Sequence, residues 1–273
     1  KLTMTEFTQR LITMLVLLGL LTLIFMYGSN NLFIFIIYLI SLLSYYEWLR
    51  ITSKSIFFII PFFILLIISD VSNLINIDIF SKLFLFFLLS IFILTFSFEE
   101  YFRQTIKKYS ILLGTLLIFS FFIFLINLYP VDIPLGTKST LYDNRHYFII
   151  LILLVSFIDV SAYVSGKLVG KNKIKSTISP NKTYEGYFGS FILTIFAFVT
   201  ICELYDFEWT KLDVILLIAF IVSAFYGDFL MSLIKRVFNV KDTGSLLPGH
   251  GGFLDRIDSY FTSLPIFYFW FLS

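Results

Sequence analysis

Residues 11–46 read LITMLVLLGLLTLIFMYGSNNLFIFIIYLISLLSYY, a stretch without a single charged side chain. Two apolar runs flank Gly28-Ser29-Asn30-Asn31, and each run is near the ~20 residues that a helix needs to cross a bilayer. The polar tetrapeptide between them predicts a turn, and the pair predicts a helical hairpin in lipid. The rest of the chain agrees with this reading. Of 273 residues, 59% are hydrophobic, 36 are Phe and only 14% are charged, and the mean hydropathy is +0.93. A soluble globule of this size could not cover that much apolar surface, which excludes a water-soluble enzyme. A net charge of +2 leaves no electrostatic footprint for nucleic acid. A β-barrel would alternate apolar and polar residues over about ten positions, and these runs are continuous. The expected class is an all-α, polytopic integral membrane protein.

Nine segments are long and apolar enough to be candidates: 11–27, 32–46, 55–69, 83–98, 109–128, 147–166, 187–203, 214–234 and 254–273. Segments 55–69 and 83–98 are short, covering only about 22–24 Å. The first run continues through Met26-Tyr27 into the turn rather than ending at a small-residue site, so a cleaved signal peptide is not expected. Basic residues supply the orientation. Of the 20 lysines and arginines, only Lys82, Lys138, Arg145 and Lys211 fall on one side of a nine-span layout. The positive-inside rule then sets the N-terminus inside and the C-terminus outside. The expected location is the cell (inner) membrane, with the working end facing the cytoplasm. Cys202 is the single cysteine, which excludes an intramolecular disulfide and a thiolate cluster.

Polar residues divide the chain. Residues 1–146 read as scaffold helices, with no charge in the middle of a segment. Residues 147–273 read as the catalytic region, with cytoplasmic loops 167–186 and 235–256. Asp159 lies within 147–166 and Asp228 within 214–234, and a carboxylate inside a membrane helix marks a functional site by default. Each lies seven residues from the expected cytoplasmic end, about 10 Å deep. Equal depth suits one shared site, while helix–helix hydrogen bonds or a proton relay remain the plainer reading. Asp255 and Asp258 fall in the expected first turn of the last segment and share a face at i, i+3. Such a pair caps a helix as readily as it binds a metal. Before it runs Pro248-Gly249-His250-Gly251-Gly252, either a turn or a loop whose N–H groups approach an anion. Asp228, Ser232 and Lys235 follow one face of a helix, with Arg236, Lys241 and Asp242 beyond. Ser179-Pro180-Asn181-Lys182-Thr183-Tyr184-Glu185-Gly186 adds a tight loop whose lysine serves topology or phosphate binding. Acids for a divalent cation beside Lys and Arg for phosphates, at a membrane surface, describe phosphoryl or nucleotidyl transfer to a lipid headgroup.

The run SLIKRVFNVKDTGSLLPGHGGFLDRIDS at 232–259 resembles the signature of the phosphatidate cytidylyltransferases. That signature reads S-x-x-K-R-x(4)-K-D-x(5)-P-G-H-G-G-x-x-D-R-x-D. Ser232, Lys235, Arg236, Lys241, Asp242, Pro248, Gly249, His250, Gly251, Gly252, Asp255, Arg256 and Asp258 match it. A second block is similar to the family as well: Asp159, Ala162-Tyr163, Gly166, Gly170-Lys171 and SPNKTYEG at 179–186, with Tyr184 where the family often has Trp. The resemblance covers about residues 156–259. It implies the reaction of CTP with phosphatidate to give CDP-diacylglycerol and pyrophosphate, with Mg²⁺ held by Asp228, Asp255 and Asp258 and two metals compatible with the chemistry. It implies Asp228, Lys235, Arg236, Asp255 and Asp258 as catalytic. Asp159, Ser179, Lys182, Thr183, Glu185, Ser232, Lys241, Asp242, His250, Gly251, Gly252 and Arg256 would then bind substrate. The expected partners are CTP, phosphatidate and the bilayer, with a homodimer as the candidate assembly. Rival readings are a CTP-dependent lipid or prenol kinase and, from another class, an ion-coupled transporter.

Overall fold

The computed structural model describes residues 29–72, 75–97, 99–128, 145–174, 178, 182–204, 208–246 and 251–272. Among them every long element is an α-helix: α1 (Asn30–Ile51), α2 (Ile59–Ser72, entered through a 3₁₀ turn at Ile56–Phe58), α3 (Ile77–Ser97), α4 (Glu99–Lys108), α5 (Ser110–Leu128), α6 (Arg145–Val169), α7 (Tyr184–Leu204), α8 (Lys211–Val237), α9 (Leu254–Ile257) and α10 (Tyr260–Leu272). Apolar runs become helices because a bilayer offers no partner for a bare N–H or C=O. Six helices are long and apolar enough to cross a membrane, and Ile56–Val71 is a shorter apolar helix. The expected count of nine is not reached among the described residues. Segment 11–27 lies outside them, and the last segment departs from expectation.

That last segment was expected as one helix from Leu254. It is instead the single turn α9 followed by the 13-residue α10, separated at Asp258-Ser259. At the break the Ser259 N–H donates to its neighbour's carboxylate, Asp258 Oδ1, at 2.9 Å. Short polar side chains compete for helical backbone groups in this way. The connection between segments 83–98 and 109–128 is itself helical and forms α4. Phe102 and Ile106 are its buried face, Glu99 and Glu100 occupy the first turn, and Lys107 and Lys108 the last. Acids at the start and bases at the end complement the helix dipole. Segment 83–98 is longer than it seemed, since α3 begins at Ile77 and recruits Asp78 into its first turn.

Three helix pairs position the site. Helices α6 and α7 pack closely because small residues line their contact, as is common between helices in lipid. The hydroxyls of Ser161 and Ser190 are 2.8 Å apart and buried, and a Cβ on Gly189 would meet the Ser165 side chain. Helices α8 and α10 share a core of Leu217, Phe220, Ile221, Phe261, Leu264 and Phe267, all buried. At their far end Thr210 and Asp213 form a capping box that starts α8, and the same Asp213 accepts from Trp270 Nε1 at 2.8 Å. Helix α1 packs on α5: Trp48 donates to the Ser110 carbonyl at 2.8 Å, and Gly114 leaves room for its indole. As a result, the ends of α1, α6 and α8 and the starts of α7 and α9 meet at one end of the bundle.

Candidate active site

Helix α6 ends at Val169 rather than Gly166, and α8 at Val237 rather than near Lys235. Asp159 and Asp228 therefore sit ten and nine residues from their helix ends, against the expected seven. Both line one cavity of ≈ 410 Å³, together with Tyr163, Lys182, Thr183 and Tyr187. The fold thus brings Asp159 and Asp228 to one cavity.

Lys182 reaches into this cavity from the loop between α6 and α7 and forms an ion pair with Asp228. Its ammonium also lies 5.7 Å from the centre of the Tyr187 ring. Burial pushes the Lys182 pKa down to about 8, against the opposing pull of Asp258 and Asp159. The loop is fixed at both ends. Lys173 and Thr183 form an antiparallel bridge, and Glu185 accepts from Asn172 N at 3.0 Å and Asn172 Nδ2 at 2.7 Å. Thr183 Oγ1 accepts from Gly186 N at 3.1 Å at the start of α7. Glu185 and Thr183, both expected to bind substrate, thus shape the loop that presents Lys182.

The second half of the site is built on α8 and α9. Lys235 Nζ lies 2.8 Å from Asp255 Oδ1. Asp255 Oδ2 accepts from Thr243 N at 2.8 Å, Thr243 Oγ1 at 3.0 Å and Gly252 N at 3.1 Å. The N–H of Gly252 is therefore turned toward the protein's own carboxylate. Gly251 has φ +83°, and a Cβ on Gly252 would collide with the Thr243 hydroxyl. A left-handed residue and a close approach both require glycine. The two halves communicate through charge: Asp258 acts on both Asp159 and Lys182, and Lys235 also acts on Lys182.

The remaining expected residues are distributed as follows. Ser232 is half-buried on α8, while Lys241 and Asp242 are exposed on the following loop. Arg236 is exposed, and its Nη1 donates toward the Val240 carbonyl at 3.5 Å. Arg256 is exposed on α9 and acts electrostatically on Asp159. Ser179 and His250 lie outside the described residues.

Among the described residues no three His, Cys, Asp or Glu side chains are gathered closely enough to form a ready metal cage. Asp228 and Asp255 instead each hold an ammonium. The donors are all oxygens, the class that a hard divalent cation takes, and each carboxylate already lies against positive charge. The residues fit Mg²⁺ in kind. Binding would require Lys182 and Lys235 to yield their carboxylates.

Sequence reasoning missed Glu47, Thr243 and Tyr187. Thr243 and Tyr187 stand beside matched motif residues, which was a usable signal. Glu47 stands alone at the end of an apolar run in the first half of the chain, with no motif around it.

Curated relatives match a little under half of the chain. The chain is 42% identical over 130 residues to a protein of Staphylococcus haemolyticus (strain JCSC1435) named phosphatidate cytidylyltransferase, covering 47% of this chain and 50% of the relative. Similar figures hold for a protein of the same name from Staphylococcus saprophyticus subsp. saprophyticus (42% over 132 residues; 46% and 50%). A third, from Staphylococcus aureus (strain COL), is 39% identical over 127 residues, or 45% and 48% of the two chains. The match spans about half the length of these relatives. A wider match comes from the model of the cytidylyltransferase family, which fits residues 8–273 and so takes in the scaffold helices as well as the paired lysines and aspartates; the chain belongs to that family.

Proposed function

We propose that this protein transfers the cytidylyl group of CTP to phosphatidate, giving CDP-diacylglycerol and pyrophosphate at the cytoplasmic face of the membrane. The observation that carries the reading is the pairing of Lys182 with Asp228 and of Lys235 with Asp255, from the α6–α7 loop, α8 and α9, at one end of a membrane bundle. In the reaction a phosphatidate oxygen bonds to the α-phosphorus of CTP, and the bond from that phosphorus to the bridging oxygen of the β-phosphate breaks. Pyrophosphate leaves with the electron pair. The attacking phosphate is already anionic, so no strong general base is needed. The difficulty lies in bringing two polyanions together and stabilising the charge that grows on the leaving group. Lys182 and Lys235 suit that task, because phosphates can replace the carboxylates that they now hold. Asp228, Asp255 and Asp258 would hold Mg²⁺, which when bound supplies further positive charge to the phosphate oxygens.

A lipid substrate suits the surroundings. Helix α7 carries Gly186 and Tyr187 in the cavity wall and, on its following turns, an open apolar face of Phe188, Phe191, Ile192, Ile195, Phe196 and Val199, against which acyl chains can lie. The headgroup would then reach Lys182. The transporter reading predicts polar residues across the whole bilayer, whereas these acids gather at one end. The test is purified full-length protein with CTP, phosphatidate and Mg²⁺. Appearance of CDP-diacylglycerol and pyrophosphate is the expected result. Release of CDP with a newly phosphorylated lipid would identify a kinase and overturn the proposal.

A further inference from the structure

Glu47 sits near the end of α1, outside the stretch that carries the signature, and its side chain is 1% exposed. Among the described residues it takes part in no ion pair. Three donors converge on it instead. The N–H of Phe253 donates to Oε1 at 2.9 Å, the N–H of Leu254 to Oε2 at 2.8 Å, and the Thr243 hydroxyl lies 3.0 Å from Oε2. All three belong to the loop and turn that carry Asp255. Gly244 and Gly252 leave the space, since a Cβ on either would press on the Glu47 carboxylate.

The Thr243 hydroxyl is also 3.0 Å from Asp255 Oδ2. A hydroxyl has one proton, so Thr243 donates to one carboxylate at a time and ties the two together. A chain of contacts then runs from Glu47 through Thr243 and Asp255 to Lys235. Buried acceptors of this kind are costly unless every partner is in place. Thr243, Phe253 and Leu254 are therefore held in place by a residue about two hundred positions away in sequence.

On the cytidylyl-transfer reading above, we infer that Glu47 is a positioning residue: it locks Thr243, Phe253 and Leu254 against α1, so that Asp255 and Lys235 meet the triphosphate in register. The role depends on acceptor oxygens rather than on bulk. Gln has nearly the same volume, but its amide NH₂ would confront an N–H donor.

The experiment uses full-length protein in lipid nanodiscs and compares Glu47→Gln, Glu47→Asp, Thr243→Val and the double variant Glu47→Gln/Thr243→Val. Hydrogen exchange of residues 251–258 should be about tenfold faster in Glu47→Gln while α5 is unchanged. kcat/KM for CTP should fall by about tenfold or more, the usual scale for groups that orient a site. KM for phosphatidate should stay within about twofold, Glu47→Asp should recover part of the loss, and the double variant should be no worse than the poorer single. Unchanged exchange, a kcat/KM near wild type, or additive losses would overturn the inference. Should Glu47→Gln fail to fold, Thr243→Val decides alone: faster exchange with reduced kcat/KM supports the chain of contacts, and wild-type behaviour refutes it. A wild-type protein that does not transfer cytidylyl groups would refute the function while the exchange measurement still judged Glu47.

Discussion

Lys235 Nζ and Asp255 Oδ1 are 2.8 Å apart, with side chains only 14% and 8% exposed. The pair joins α8 to α9 in a place with little water, so neither charge can be lost alone without leaving the other uncompensated. Breaking one side of a buried pair costs about 3–5 kcal/mol, whereas replacing both partners is often nearly neutral.

Asp255→Asn should therefore abolish transfer and also lower the melting temperature. Lys235→Met should do the same. The double variant Lys235→Met/Asp255→Asn should regain most of the stability and none of the activity. Thermal unfolding of the three variants, followed by tryptophan fluorescence, checks this. A double variant less stable than both singles would contradict the pairing.

Lys182 gives the pH dependence. Its pKa is lowered from 10.5 to about 8 by burial, and its ammonium form is the one that binds phosphate. kcat/KM for CTP should thus fall as pH rises through about 8, because that ratio reports the unliganded enzyme. The limb for kcat should lie at higher pH, since bound phosphates favour the charged form. Stability runs the other way. Between about pH 8 and 10.5 the unfolded chain binds more protons at this lysine than the folded one, so its contribution to stability rises with pH across that window. Lys182→Arg should remove the alkaline limb from the rate profile, and an unchanged limb would reassign it.

Metal addition offers a separate check. A ligand that binds only the folded state at 100 times its Kd adds roughly 2.7 kcal/mol. Mg²⁺ should raise the melting temperature of the wild-type protein and leave Asp228→Asn and Asp258→Asn unmoved. Equal stabilisation of all three would take these carboxylates out of the metal site.

Orientation can be read by labelling. In a Cys202→Ala background, Lys54→Cys should react with a membrane-impermeant maleimide from the cytoplasmic side only. Glu208→Cys should react from the opposite side only. Both positions are exposed in the structure. The reverse pattern would invert the arrangement inferred from the basic residues.

Most of the long helices and the two central acids were legible in the residues alone. Uninterrupted apolar runs have one outcome in a bilayer, because the backbone must satisfy itself locally. Counting residues from the helix ends then sufficed to set Asp159 and Asp228 at one depth. What tertiary structure decided was the partner of each polar group. The N–H of Gly252 serves Asp255 rather than an incoming anion, and Glu185 holds Asn172 rather than a ligand. Above all, Glu47 closes on Phe253 and Leu254 across 206 and 207 positions of chain. Local pattern reports which face of a helix is apolar, but not the rotation and offset at which two helices meet. Those depend on the fit of side chains such as Trp48 over Gly114, which decides where the end of α1 lies against the loop.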